Sequence, residues 1–144
     1  MDTMKNTLIK WFMNFNAYLI RLTDGRIGAR LGKQTILLLE TVGRKTGQPR
    51  VTPVAYFLHE GQYLVVASNW GKDQDADWYL NLLKTPRATL QVKVKKIPVE
   101  AHAAQGDEYA RLWKFATEQH SPYLRYQQMT ARHIPIVVFE VVDS

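Results

Sequence analysis

The chain has 144 residues, of which 46% are hydrophobic, and a formal net charge of +6. This length suits one globular domain, and no repeat, linker or low-complexity segment indicates a second. The chain has no cysteine, which excludes disulfides, thiolate metal sites and a thiol nucleophile and fits a cytoplasmic protein. The positive charge favours an anionic partner, which could be nucleic acid, a phosphorylated cofactor or an anionic membrane.

Residues 4–22 are predicted to form a helix, because apolar residues recur there at close to helical spacing. Together with a basic connector they form a segment, 1–33, that we separate from a domain at 34–144. Two interpretations of the helix stay open: it packs on the domain, or it lies in a membrane interface as a peripheral contact. No secretory signal and no apolar run long enough to cross a bilayer is present in this sequence.

The remaining chain is predicted to alternate between short strands and helices. Strands are predicted at 36–39, 51–58, 62–67, 88–94, 97–103 and 134–142. Helices are predicted at 76–83, at 107–119 and from Pro122 onward. Asp75 or Asp77 is expected to cap the first of these helices, and Ser121 the last. A mainly antiparallel sheet with inserted helices predicts an α+β fold with a closed or split β-barrel.

The segment GRKTGQPR separates the first two predicted strands. Gly43 and Gly47 permit positive φ, and Pro49 lacks a backbone donor, so this segment is predicted to be a turn. Its cations are Arg44, Lys45 and Arg50. Two interpretations are open: a solvated hairpin loop, or an anion site in which backbone N–H groups and cations hold a phosphate or carboxylate.

Familiar catalytic motifs are missing from the sequence. His59, His102, His120 and His133 are scattered without metal-ligand spacing, so no metal site is predicted. Neither GxSxG nor GxGxxG occurs, so neither a hydrolase elbow nor a Rossmann fingerprint is indicated. A chain of this kind can still be an enzyme if a cofactor supplies the chemistry.

Several segments together resemble the deazaflavin-dependent nitroreductase family. They are LLLETVGRKTGQPRVTPVAYF, VVASNWG, DWYLNL, TPRATLQV and PYLRYQQMTARHIPIVVFE, and the similarity as a whole covers about residues 30–140. The combination of GRKTGQPR with WYLNL is specific. The resemblance implies an FMN-binding split-barrel-like fold, mainly antiparallel, with an N-terminal helix and inserted helices. It also implies coenzyme F-420, a deazaflavin with a phosphate and a polyglutamate tail, and that anionic tail agrees with the basic charge.

The same resemblance implies which residues form the site. The implied cofactor-binding residues are Arg44, Lys45, Thr46, Gln48, Pro49, Arg50, Ser68, Asn69, Trp70, Gly71 and Trp78. The implied catalytic residues are Ser68, Tyr123 and Tyr126. Ser68 would lie beside the deazaflavin ring, and the two tyrosines would close the substrate pocket by stacking or by donating an O–H.

The implied reaction is hydride transfer from reduced coenzyme F-420 to a quinone, enone or nitro-aromatic acceptor. Two alternatives stay open. One is a reductase of the same fold that uses FMN, and the other is a non-catalytic protein that binds a deazaflavin, a haem-like ligand or nucleic acid. Nucleic acid is disfavoured, because the basic residues are spread and no recognition motif accompanies them.

Overall fold

The computed structural model describes residues 30–31 and 34–142, with side chains from residue 35 onward. Over these residues the elements are β1 (Arg30–Leu31), β2 (Gln34–Val42), β3 (Pro49–His59), β4 (Gln62–Val66), a 3₁₀ turn (Asn69–Gly71), α1 (Asp77–Lys84), β5 (Arg87–Val92), β6 (Lys95–Ala103), α2 (Gly106–Gln119), α3 (Pro122–Met129) and β7 (Ile136–Val141). The predicted helix at 4–22 lies outside the described residues. Its two interpretations and the division between 33 and 34 stay predictions.

Six strands close into an antiparallel barrel in the order β2-β3-β4-β7-β6-β5. The closure is made by β5, which pairs back onto β2 from Leu38↔Gln91 to Glu40↔Thr89. The short β1, which the sequence did not predict, pairs with the start of β2. The prediction of an α+β split β-barrel with a mainly antiparallel sheet is therefore confirmed.

The barrel interior is filled by alternate side chains, because successive residues of a strand point to opposite faces. All six barrel strands contribute to this cluster through Leu37, Leu39, Val54, Val65, Leu90, Ile97, Val99, Val137 and Phe139. Trp78 and Leu82 of α1 pack against the same cluster. Full burial of each such side chain contributes about 1.5–3 kcal/mol, so this cluster fixes α1 against the barrel.

The opposite faces of β4 and β7 are also buried. Leu64 and Val138 belong to a second cluster, in which the helices contribute Leu112 and Ala116 of α2 and Tyr123 of α3. β4 and β7 therefore carry continuous apolar runs, whose alternate side chains serve two layers, one inside the barrel and one beneath the helices. This second layer holds α3 beside the end of β4.

The predicted helix caps are wrong in part. Ala76 is the N-cap of α1 and makes no side-chain capping bond. Neither aspartate caps the helix, because Asp75 pairs with Arg132 at 2.8 Å and Asp77 with Arg44 at 3.2 Å. Ser121 does stand at the N-cap of α3, before a proline in the first turn as predicted, but its hydroxyl makes no capping bond.

Candidate active site

The β2–β3 hairpin has a compact turn over residues 43–48. Together with Pro49 and Arg50, the first two residues of β3, we call it the cationic turn. Gly43 N donates to the carbonyl of Gln48 at 2.8 Å, and Gly47 N donates to the carbonyl of Gly43 at 2.8 Å. Gly47 has a φ of +74°, which a residue without Cβ adopts at little cost. The predicted turn is confirmed, and Lys45 and Arg50 are exposed on it.

Arg44 points instead toward α1. Its Nη1 donates to Asn81 Oδ1 at 3.0 Å and its Nη2 lies 3.2 Å from Asp77 Oδ1. The backbone N–H of Arg44 also donates to Asn81 Oδ1 at 3.1 Å, and Lys84 Nζ donates to the Arg44 carbonyl at 2.9 Å. Asn81 is only 4% exposed and donates to Thr41 Oγ1 at 3.1 Å. These bonds fix the cationic turn to α1.

Sequence reasoning missed Asn81. The signal was present in α1, because Asn81 shares the buried face of the helix with Trp78 and Leu82, where a polar residue needs a partner. Trp78 itself is 9% exposed and packs in the barrel cluster, so little of its side chain is accessible. Arg50 donates to Thr46 Oγ1 at 3.2 Å, whereas Lys45 forms no ion pair with any described residue.

The residues after β4 form a second turn, 68–72, which we call the Ser68 turn. Asn69, Trp70 and Gly71 have φ values of 47°, 60° and 77°, so three successive residues are left-handed. For a residue with a side chain this conformation costs about 1–2 kcal/mol. The turn is held by bonds from Gly71 N to the Ser68 carbonyl at 2.9 Å and from Asn69 Nδ2 to the Gln74 carbonyl at 2.8 Å.

Arg132, between α3 and β7, is the main support of the Ser68 turn, and sequence reasoning missed it. Its Nη2 donates to the Ser68 carbonyl at 2.9 Å, its Nε to the Lys72 carbonyl at 3.1 Å and its Nη1 to the Ala67 carbonyl at 3.4 Å. Its Nη1 also bonds Asp75 Oδ1 at 2.8 Å, and its side chain is 12% exposed. One buried guanidinium therefore orients the backbone around Ser68.

The helix α3 packs directly on the Ser68 turn. The rings of Trp70 and Tyr126 meet edge to face with centroids 6.3 Å apart. A Cβ added to Gly71 would lie 3.1 Å from the Tyr126 carbonyl oxygen, and its φ of +77° would strain a residue with a side chain, so glycine favours this close approach. The predicted pair of tyrosines shares one side of α3, with ring centroids 6.3 Å apart, and Tyr123 is the buried member at 4% exposure.

Two hydroxyls of this region are available to a ligand. Ser68 and Tyr126 are both half-buried, and neither hydroxyl makes a hydrogen bond within the described part of the chain. The structure therefore brings Trp70 and Tyr126 together, and Ser68 lies two residues before Trp70 in the same turn. The cationic turn is connected to them through Arg44, Asp77 and the neighbouring Asp75, which Arg132 bonds.

Three tyrosines outside the predicted site are partly buried, and their phenol pKa values are raised. Burial raises the pKa of Tyr109 to about 12, and its hydroxyl donates to the Ile134 carbonyl at 2.7 Å. Burial, with a smaller contribution from Tyr63, raises the pKa of Tyr56. Burial followed by the charge of Asp75 raises the pKa of Tyr79. These three phenols stay protonated at neutral pH, because each pKa lies above the ordinary value of 10.0.

A cavity of about 200 Å³ lies between α1 and β6. Its lining residues are Tyr79, Leu82, Leu83, Pro86, Ala101, His102, Ala103 and Val137, none of which is a predicted site residue. Among residues 34–142, no three His, Asp or Glu side chains come together in a way that could hold a metal ion. No helix in the same range is long and apolar enough to cross a membrane.

Comparison with known proteins places this chain in a family. The model of the F420H(2)-dependent quinone reductase family matches residues 12–141. An F420H(2)-dependent quinone reductase of Mycobacterium tuberculosis is 42% identical over 122 residues, which is 82% of this chain and 82% of that protein. The solved F420-H2 dependent reductase FDR-A is 35% identical with a TM-score of 0.66, covering 73% of this chain and 93% of its own.

A more distant structure shares the fold alone. HutZ, a heme storage protein of Vibrio cholerae, is 14% identical with a TM-score of 0.58 and covers 76% of this chain and 82% of its own. The family match is different in kind, since it spans nearly the whole described barrel at the sequence level. The chain belongs to the F420H(2)-dependent quinone reductase family, oxidoreductases that use the deazaflavin coenzyme F-420, as the resemblance predicted.

Proposed function

We propose that this protein transfers a hydride from reduced coenzyme F-420 to a quinone, at a site formed by the cationic turn, the Ser68 turn and Tyr126. The observation that carries the proposal is that ion pairs tie both turns to the start of α1, Arg44 to Asp77 at 3.2 Å and Arg132 to Asp75 at 2.8 Å. Two turns held near one short segment suit a ligand that has a charged tail at one end and a reactive ring at the other.

The donors of the cationic turn fit the anionic tail of coenzyme F-420. Lys45 and Arg50 are exposed cations on a backbone that internal bonds already fix, so they can form charge-assisted hydrogen bonds to a phosphate or carboxylates. Thr46, Gln48 and Pro49 complete the same turn. Arg44 is committed to α1, so its role is to position the turn and to add positive potential.

The Ser68 turn and α3 would enclose the ring and the acceptor. When bound, coenzyme F-420 supplies the hydride, and the acceptor oxygen gains negative charge. The Ser68 Oγ–H and the Tyr126 O–H, both without partners in the described chain, can donate to that oxygen and stabilise the charge. Tyr123 supports Tyr126 from the core and helps to exclude water.

The family favours a quinone as acceptor. Enones and nitro-aromatics are further candidates, because they too develop negative charge on an oxygen that Ser68 and Tyr126 could stabilise. The proposed donors do not select among these three acceptor classes. Because the family favours a quinone, the quinone is the proposed primary substrate, and enones and nitro-aromatics are proposed as additional substrates.

The proposal is tested with purified protein by titration with coenzyme F-420 and, separately, with FMN. We expect binding of the deazaflavin and steady oxidation of its reduced form when menadione is added. The same assay with an enone and a nitro-aromatic measures the width of acceptor specificity. Tighter binding of FMN, or no oxidation with any quinone, would contradict the proposed function.

Replacing Tyr126 with phenylalanine tests its role as a donor. We expect kcat with menadione to fall about 100-fold, because loss of one preorganised donor to a developing oxyanion has this magnitude. The dissociation constant of coenzyme F-420 should stay unchanged, because this hydroxyl is assigned to the acceptor. The control is Tyr63→Phe, which removes a hydroxyl from β4. Equal kcat values in Tyr126→Phe and wild type would remove the proposed role.

A further inference from the structure

The packing of the domain does not explain the side chain of Trp70. It is 70% exposed, although tryptophan is among the residues that gain most from burial. Among the described residues, Tyr126 is the one aromatic ring that it meets. It belongs to neither of the two hydrophobic clusters. Trp70 therefore contributes little to the core.

The backbone at Trp70 would suit glycine better. Its φ of 60° and ψ of 22° lie in the left-handed region, where a bulky residue is a genuine outlier. The surroundings impose this conformation, because Arg132 holds the carbonyls of Ser68 and Lys72 on either side. A tryptophan thus raises the free energy of the folded state and, among the described residues, gains little burial in return. Strain that the surroundings impose in this way is typical of functional positions.

The indole and Tyr126 form two walls of a corner, and Ser68 lies two residues before Trp70 in the same turn. Their ring planes meet at 78°, with centroids 6.3 Å apart. A flat conjugated ring that enters this corner can stack on the indole while its oxygen accepts from the half-buried hydroxyls of Ser68 and Tyr126. Of the ligands in the proposed reaction, the acceptor is the one whose oxygen those hydroxyls serve.

We propose that Trp70 is a specificity-determining residue whose indole binds the acceptor ring and favours flat, fused-ring quinones. This inference rests on the proposed function. The Trp70 side chain would bind the acceptor, whereas the backbone of the Ser68 turn would still line the cofactor. The larger the flat area of the acceptor, the more it gains from stacking on the indole.

The test variant is Trp70→Gly, because glycine keeps the left-handed backbone and removes only the ring. We expect its KM for menadione, a two-ring quinone, to rise at least about fivefold. The KM for duroquinone, a one-ring quinone, should change less, so that the preference for menadione falls. Calorimetry should show a matching rise in the dissociation constant of menadione from protein loaded with oxidised coenzyme F-420. Trp70→Phe should recover part of the affinity.

The matched control is Lys93→Gly, which also replaces an exposed side chain at a left-handed position, with φ 57°, in the β5–β6 turn. Both variants should shift the midpoint of thermal unfolding by similar amounts, and Lys93→Gly should leave both KM values unchanged. An unchanged menadione dissociation constant in Trp70→Gly would overturn the inference. A weaker affinity for coenzyme F-420 without an acceptor effect would also overturn it. Failure of wild-type turnover with intact menadione binding would instead count against the proposed function.

Discussion

An Arg132→Met protein is expected to lose about 2–4 kcal/mol of unfolding free energy, because the substitution leaves Asp75 and three carbonyls without their charged donor. We also expect kcat with menadione to fall about 100-fold, since the Ser68 turn would lose the contacts that orient it. Affinity for coenzyme F-420 should fall much less, because the cationic turn is held independently through Asn81. A large fall in kcat with little change in cofactor affinity would distinguish a positioning role from a general loss of structure.

Denaturant unfolding measures the loss of stability, and steady-state kinetics measure the fall in kcat. The conservative variant Arg132→Lys keeps the charge but loses the planar fork of donors, so it should recover only part of the stability and rate. The control is Arg87→Met, which removes an ion pair with Glu100 whose side chains are 64% and 56% exposed. That variant should lose less than about 1 kcal/mol. Similar losses in Arg132→Met and Arg87→Met, or a normal kcat in Arg132→Met, would contradict the assignment.

The double substitution Lys45→Ala, Arg50→Ala is expected to raise the dissociation constant of coenzyme F-420 about 100-fold at low salt. Two charge-assisted hydrogen bonds would be lost, each contributing about 1.5 kcal/mol at an exposed site. The fold should be preserved, because both side chains are exposed and the backbone bonds of the cationic turn remain. Fluorescence titration of the cofactor measures the change.

Salt provides a second measurement of the same contacts. The dissociation constant of the wild type should rise steeply with ionic strength, and that of the double variant less steeply, because fewer exposed charges are left to screen. Lys93→Ala, Lys95→Ala makes the same change in net charge at the β5–β6 hairpin and should alter the affinity less than about threefold. Equal effects of the two double substitutions would indicate that only overall charge matters, and no specific cation site would remain.

Local patterns predicted the barrel and its turns. Gly43, Gly47 and Pro49 identified the cationic turn. Apolar runs and β-type residues identified most of the barrel strands, and apolar alternation identified β5 and β6. The supports of the site were not predicted, because they join positions far apart in sequence. Arg44 bonds a side chain 37 positions away, and Arg132 bonds a carbonyl 64 positions away. A single sequence without pairing information does not reveal such partners.

The wrong caps have the same origin. Asp75 and Asp77 stand where a capping residue is favoured, so local preference indicated a cap. Each carboxylate instead binds an arginine from a distant segment, and a charged donor outcompetes the helix amides. The tyrosine pair was correctly placed on one side of α3, but its division into a buried Tyr123 and a half-buried Tyr126 depends on packing against β4 and β7.

The position of β7 between β4 and β6 has a consequence for biosynthesis. Until the ribosome has released residues 136–141, the neighbouring strands each carry an unsatisfied edge that can recruit another nascent chain. The guanidinium that orients Ser68 also emerges only just before that strand. The barrel can therefore close only after β7 has been translated. A chain that ends before β7 would be prone to aggregation.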